Sequence, residues 1–566
     1  MNSLFLLVIG IVVFALGYRF YAKLLALSAF RLDVDYSTPA HSRADDKDFV
    51  AGSRHVVFGH YFAAVAGATT LTGTAVAVIW GWIPAFLWVL VGTTVAAGVY
   101  GLGTLWLMTR YGGLGLAGAV RDVAGPRAQL PFFVLAIALL LVMNAVFAWL
   151  TAELLTAYPA AALPFWLQVG LALAFGVYLH NRGNRGLVLA TVIAVAASLI
   201  AVWVLHRTTF AFSGAINIDI HGYSWVSLDA TVVWIVLLFV FAYYATSAPV
   251  WKLVQPRGYL TAIHAGILIL LLFVGVAIMR PPIVAPHFNT DLQAPGAIPW
   301  IFVTLTSGAI AGFYLLVAGG ITAKQLSRET DARYVGYGTA LVEGILALSV
   351  ILVCTAGFGD KDKWVEFYGS WEGVQSLPRL VDLYLAGCAN FVAALGIDRG
   401  LAHTFAAAVV AGLIAVTLDA GVRVQKQLLA EVGDCFGIKR LQDEKVLLLV
   451  TVGLAAALAL YDGRGSGGLR FWPLFGIWNQ VLAVVGLLLV GLTLRRQQQP
   501  ALCVVAPMLF LLIVVTWALL AKLVLWWSAG NWLHFAGGIV LLALEIWLAR
   551  EALRALRQPV AAPPGA

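Results

Sequence analysis

The chain is short of charge. Only 11% of its 566 residues are Asp, Glu, Lys or Arg, against about 25% in soluble domains. That is too little to clothe a water-facing surface, so a soluble globular protein is excluded. Polar stretches are scarce too. The longest, 31–54, 206–226, 280–298, 359–378 and 433–444, are too short for an independent core. Phosphate loops, dinucleotide-binding glycine patterns, zinc spacings and nucleophile elbows are missing. An ATP-driven pump would need a nucleotide domain. A membrane enzyme would need His, Asp and Glu converging on one face, and here they are scattered. The reading is a non-enzyme without cofactor or metal. Cys354, Cys388, Cys435 and Cys503 show no metal-ligand spacing and read as apolar packing.

What is present is apolar: 62% of residues are hydrophobic. They fall into about fifteen runs of roughly 20 residues, the length that crosses a bilayer. The expected fold class is therefore an all-α polytopic membrane protein of about fifteen transmembrane helices, with lipid as a partner. The region 379–422 counts as one span, and its short first part, 380–394, reads as re-entrant. The net charge of +8 would point to nucleic acid in a soluble protein. Here it follows topology, because cytoplasmic loops collect Lys and Arg. Loops expected inside hold about 24 bases and those outside about 9. This places the amino terminus outside and the carboxyl terminus in the cytoplasm. Arg19 and Lys23 follow the core of the first apolar run and no base precedes it, so it reads as a retained span. The expected division is an extra helix at 1–30, a core at 50–430, additional helices at 440–550 and a tail at 551–566, where 560–566 reads as disordered.

Two polar interruptions stand out. The first is Gly67-Ala68-Thr69-Thr70-Leu71-Thr72-Gly73-Thr74, inside the run Val56–Ile79. Lipid offers no partners for freed backbone groups, so a loosened helix persists only where protein or a water-filled cavity covers it. Broken helices of this kind mark substrate and ion sites in secondary transporters. Gly67, Thr69, Thr70, Thr72 and Gly73 are thus candidate substrate residues; tight helix packing through small residues is the alternative. The second interruption, Ala245-Thr246-Ser247-Ala248-Pro249, lies about 180 residues on, as an internally repeated transporter would have it. It adds Tyr243, Thr246, Ser247 and Pro249 as candidates, against a simple proline kink.

Carboxylates inside spans are costly and point to function. Glu343 has no base within its own run and is the first candidate for ion coupling. Asp419 is the second; Arg423, four residues on, offers it a partner on the same helix face, which leaves a structural role equally open. Glu545 and Glu153 read as peripheral. Asn144 and the Asn479-Gln480 pair suit helix–helix hydrogen bonds or substrate contact. His60 reads as a proton relay or a packed histidine, and Lys252 as a carboxylate partner or a side chain snorkelling to the interface.

Several segments resemble the carbon starvation protein A family of bacterial inner-membrane transporters. They are FGHYFAAVAGATTLTG (58–73), APVWKLVQPRGYL (248–260), SGAIAGFYLLVAGGITAKQL (307–326), ARYVGYGTALVEG (332–344), TLDAGVR (417–423) and WPLFGIWNQVLA (472–483). The family is similar to the amino-acid–polyamine–cation superfamily. The resemblance implies a five-plus-five inverted-repeat, LeuT-like core. It implies uptake of pyruvate or peptides by alternating access, driven by a proton or sodium gradient. An amino-acid transporter, or a sensor or scaffold that kept the fold without transporting, are the alternatives. The pattern departs at ionisable positions. Tyr100-Gly101 stands where His-Asp is usual, Tyr314 where His is usual and Gly258 where Asp is usual. Ala68-Thr69-Thr70 replaces a Gly/Pro-rich run. Tyr314 thereby joins the candidate substrate residues, and ion dependence is expected to differ from that of His-Asp members.

Overall fold

A computed structural model describes residues 2–112, 115–211, 216–220, 223–290 and 295–557. The expected disordered segment at 560–566 lies outside them.

The first helices are α1 (Ser3–Ser28), the pair α2 (Arg54–Val65) and α3 (Ala68–Ala77), and α4 (Trp82–Arg110). They are followed by a short amphipathic helix α5 (Leu116–Ala124), the long α6 (Gln129–Ala157), and α7 (Pro159–Arg182) with α8 (Leu187–Leu205). A two-stranded hairpin, β1 (Ile216–Ile220) with β2 (Tyr223–Leu228), is a small departure from the all-α expectation. Then come α9 (Ala230–Ser247), α10 (Val254–Met279), α11 (Ala297–Ala309) and α12 (Gly312–Gly320). Next are α13 (Gly338–Ala356), α14 (Lys361–Tyr368), α15 (Leu377–Ala393) and α16 (Arg399–Phe436). The chain ends with α17 (Glu444–Leu460), α18 (Trp472–Arg496), α19 (Leu502–Ser528) and α20 (Trp532–Arg557).

Twelve described helices are long and apolar enough to cross a membrane, and the bent pair α2/α3 makes a thirteenth. The interrupted pair α11/α12 and the 17-residue α17 run alongside them. This agrees with the expected fifteen or so crossings. Helix α15 does not cross. Along its length Tyr384 meets Ser349, Gly387 meets Val353 and Phe391 meets Gly275, all near the same ends of α13 and α10, while Asp382 accepts from Tyr158 just past the end of α6. It therefore lies across one face, and α16 starts on that same face, with His403 against Tyr158. The amino terminus shares this face, since Ser3 bonds to Pro281 just beyond α10. Following the antiparallel helices onward puts the end of α20 on the opposite face. The two are called the N-face and the C-face below.

The helices form two series of opposite direction. In the first, broken α2/α3 is followed by α4 with a π-helical turn at Gly92–Ala97, surface helix α5, long α6, then α9 and α10. In the second, interrupted α11/α12 is followed by a π-helical turn at Arg333–Tyr337 leading into α13, surface helix α15, long α16, then α17 and α18. Equivalent pairs touch in equivalent ways. α6 packs on α16, α10 on α2, and α18 on both α11 and α12. The hairpin α7/α8 is inserted in the first series. The second series runs through α17 and α18, so the core boundary expected near residue 430 falls inside it.

Most side chains at the centre are apolar and fully buried, whereas α8 and α19 expose rows of Val, Ile, Leu and Trp outward. Those rows suit lipid, where exposed apolar surface costs nothing.

Candidate functional site

The first break forms where the sequence placed it. Ala66 and Gly67 leave the helix, and the axes of α2 and α3 meet at 54°. The glycine is needed for closeness rather than for a special backbone angle. Gly67 is extended (φ −83°, ψ −159°), but a Cβ there would sit 2.8 Å from Thr417 Oγ1 and 3.2 Å from Phe147. Thr417 in turn donates to the Leu413 carbonyl at 3.0 Å and to Ala63 at 3.5 Å.

Helix α3 then presents two polar faces. Thr70 and Thr74, four residues apart, turn toward Glu343; Thr69, Thr72, Gly73 and Val76 turn toward a cavity. Glu343 is fully buried. The hydroxyls of Thr70 and Tyr314 both donate to its carboxylate, one to each oxygen. No described ion pair includes it. A void of about 20 Å³ beside it, lined by Thr70, Thr74, Thr93 and Ile310, has room for about one water. Hydroxyls both donate and accept, so this group of oxygens can hold the carboxyl ionised or protonated without repacking.

The second discontinuity is not where the sequence suggested. The run through Pro249 is not a broken span. Helix α9 ends at Ser247, Ala248 is extended, and 249–253 turn the chain back into α10 at the C-face. Proline cannot continue the helix, and the turn is tied down by Val250 N–H to Lys47 and Trp251 Nε1 to Asp46. Tyr243, Thr246, Ser247 and Pro249 therefore sit at that face. None of them lines the cavity beside Thr72, and Ser247 bonds only locally, to the Tyr244 carbonyl.

The partner break is at Ile310-Ala311, between α11 and α12, with Ala311 extended. It crosses the first break directly: a Cβ on Gly308 would lie 2.9 Å from Thr70 Cα. The freed N–H of Phe313 is taken by Asn479 Oδ1 at 3.1 Å, and Gln480 Nε2 donates to the Val303 carbonyl. The Asn479-Gln480 pair thus braces the broken helix, and Asn144 similarly donates to Gln425 at 2.7 Å. The signal for this break was visible as Thr304, Thr306, Ser307, Gly308 and Gly312, a hydroxyl- and glycine-rich run that the sequence reading took as part of an unbroken span.

The positions that depart from the family pattern gather in two places. Tyr100, Gly101 and Tyr314 share the wall behind Glu343. The Tyr100 and Tyr314 ring centres are 6.1 Å apart, Tyr61 packs edge-on to Tyr314 at 5.6 Å, and a Cβ on Gly101 would meet the Gly336 carbonyl at 2.6 Å. Gly258 faces His60, whose Cα would lie 2.9 Å from a Cβ there. His60 is fully buried with neither ring nitrogen bonded.

Asp419 pairs differently from the expectation. Its partner is Arg257 of α10, both buried to within 2% of full burial. Arg423 turns instead to Asp48 at 2.7 Å and to the Ala248 carbonyl at 3.1 Å. Asp419 points across to α10 while Arg423 reaches the C-face loop, so the spacing of four along one helix does not decide the pairing. Lys252 is exposed and Glu545 accepts from Thr516 at 2.6 Å.

A second cavity near the breaks, about 170 Å³, opens toward the N-face between them. Trp300, Trp371, Trp472 and Phe475 wall it, and Thr69, Thr72 and Gly73 line its inner side. Lys522 of α19 also lines it, a residue the sequence reading passed over because its helix lies beyond the matched motifs.

Comparison with known proteins bears on this arrangement. The family model for Carbon starvation protein CstA matches residues 2–363 and 378–518. The pyruvate/proton symporter BtsT of Escherichia coli is 28% identical, with 92% of this chain and 82% of that protein covered. The peptide transporters CstA of Bacillus subtilis and Campylobacter jejuni are 28% and 27% identical, covering 92% and 86% of this chain and 90% and 75% of theirs. Among solved structures, MhsT in complex with L-phenylalanine is 12% identical, covers 89% of this chain and 98% of its own, and has a TM-score of 0.49. Mhp1, a nucleobase-cation-symport-1 family transporter, is 12% identical over 91% and 95%, with a TM-score of 0.45. Those two likenesses are too loose to argue from, and the opposed helix series stands on its own contacts. The family match runs through both breaks and Glu343 but leaves out the cavity residues Trp371 and Lys522, and the chain belongs to the carbon starvation protein CstA family of membrane transporters.

Proposed function

We propose that this protein imports a small carboxylate such as pyruvate by alternating access, with Glu343 as the coupling group and a proton as the coupling ion. One observation carries the reading: a fully buried carboxyl lies between two broken helices, held by hydroxyls and in no ion pair among the described residues. An unpaired buried charge is costly, so the carboxyl gains from taking up a cation when the site is closed. Proton or sodium would serve; the proton is favoured because the similar BtsT is named a pyruvate/proton symporter. Gly67, Thr69, Thr72 and Gly73 would contact substrate, and Tyr314 and Thr70 would hold the coupling group. Asp419 is assigned a structural role with Arg257. Several relatives are named peptide transporters, but the cavity of 170 Å³ is below the ~300–1000 Å³ of pockets for drug-sized ligands, which favours the smaller substrate.

The test is Glu343→Gln in proteoliposomes. The variant should exchange labelled pyruvate across the membrane yet fail to accumulate it against a gradient. Full gradient-driven accumulation removes Glu343 from coupling. For orientation, the bases concentrated at the C-face support a cytoplasmic C-face and an outward N-face in a bacterial inner membrane. A reporter fused after Ala566 should be active in the cytoplasm; activity only outside reverses the assignment.

A further inference from the structure

Helix α19 belongs to neither helix series, yet it contributes the one charged side chain among those lining the N-face cavity, Lys522. Its ammonium lies over the rings of Trp300, at 5.3 Å, and Trp526, at 5.7 Å. No described ion pair includes it. Ring faces orient an ammonium without neutralising it, so the cavity carries a net positive charge. Its other walls are indoles, a phenyl ring and aliphatic groups, with Thr69, Thr72, Thr304 and Gln375 as neutral hydrogen-bonding groups. A charge in a cleft with low-dielectric walls is felt strongly by an entering ion.

From this geometry we infer that the N-face cavity is an anion-selective substrate subsite. Lys522 binds the carboxylate of a small monoanion before it passes to the broken helices. The volume of the cavity, about 170 Å³, suits a small ligand. Its charge sets the class: a monocarboxylate is matched. A neutral analogue of the same shape gains nothing from the ammonium. A zwitterionic peptide would bring its own ammonium into a site with no carboxylate to receive it. Snorkelling of Lys522 toward the N-face is the competing explanation, and it predicts no effect on ligand charge preference.

This inference rests on the proposed carboxylate transport. The experiment uses the full-length protein, pyruvate and its neutral amide. Binding is followed by tryptophan fluorescence, since Trp300, Trp371 and Trp472 wall the site, and initial uptake is measured in proteoliposomes. Lys522→Met should raise Kd and KM for pyruvate by ~10-fold or more, the effect of losing one charged hydrogen bond. Maximal rate should change little. Lys522→Arg should restore most of the affinity, and the weaker binding of the amide should be the same in all three proteins. Lys522→Met with wild-type pyruvate affinity, or with equal losses for acid and amide, overturns the role of Lys522 and leaves carboxylate transport standing. A wild-type protein that carries a dipeptide but neither binds nor carries pyruvate overturns both readings. If Lys522→Met does not elute as a folded species, Lys522→Gln and the arginine variant make the same comparison.

Discussion

Asp419 and Glu343 are two of the buried carboxylates of this transporter, and their surroundings differ in one respect. Asp419 has a guanidinium beside it, from Arg257. Among the described residues, Glu343 has only hydroxyls, from Thr70 and Tyr314. Both are essentially inaccessible to solvent. A buried charge with a fixed partner has little to gain from an ion that comes and goes. A buried charge without one can gain much. The contrast supports the proposal that Asp419 holds α10 against α16 and that Glu343 serves the transport cycle.

Removing Arg257 breaks the contrast most severely. Arg257→Met leaves Asp419 buried and unpaired, at a cost of about 3–5 kcal/mol. Folded yield should fall sharply, read as the monodisperse fraction on size-exclusion chromatography in detergent. The double variant Arg257→Met with Asp419→Leu should recover much of it, because replacing a whole buried pair by apolar groups is often neutral. Glu343→Gln should leave yield unchanged. If Arg257→Met folds normally and still transports, Asp419 is not held as argued.

How much of this was readable beforehand follows from what each signal measures. Hydropathy reports span length and number, so the crossings were legible, whereas the 380–394 segment, expected as re-entrant, lies along the N-face. The hydroxyl-rich break at Gly67 was legible because threonines have no business in lipid. The break at Ile310-Ala311 carried a similar signal in Thr304, Thr306, Ser307 and Gly308 and went unread, while its bracing partners, Asn479 and Gln480, come from a helix about 170 residues later in the chain. Pro249 misled because proline marks the end of a helix as readily as a break within one. The Asp419 partner was misjudged because helical spacing ranks neighbours on one helix only, and Arg257 lies on another. Lys522 was missed because nothing in a single apolar run tells which face meets a cavity.

A smaller change sharpens the other half of the contrast. Tyr314→Phe removes one of the two hydroxyls on Glu343 while keeping the ring between Tyr61 and Tyr100. A hydrogen bond to a charged group contributes about 1.5–3 kcal/mol, so gradient-driven accumulation should slow ~10-fold or more. Melting temperature should shift little, since the aromatic packing remains. An unchanged accumulation rate would mean that the hydroxyl only fills space and that Glu343 does not depend on its donors.

The smallest effect belongs to a carboxylate that resembles Asp419 in having an arginine but lies at the C-face surface. Asp48 accepts from Arg423 at 2.7 Å with its side chain 28% exposed. Burial pushes its carboxyl up, but the charge and hydrogen bond of Arg423 outweigh this, and the group ends below the ordinary carboxylate range. The sign follows from linkage. A carboxyl whose value is depressed on folding contributes stability that is complete above the unfolded value of about 3.9 and is lost as pH falls through the lower folded value. Partial exposure limits the contribution to about 1 kcal/mol or less, and Arg423 keeps the Ala248 carbonyl when Asp48 is changed. Asp48→Asn should therefore lower the melting temperature by on the order of a degree or two. The gap to wild type should stay constant from pH 8 to pH 5, because Asp48 remains ionised throughout, and should narrow only in stronger acid. A gap that closes between pH 8 and pH 5 would mean that Arg423 does not hold the carboxylate in its charged form, and that the ion pair does not help seal the C-face.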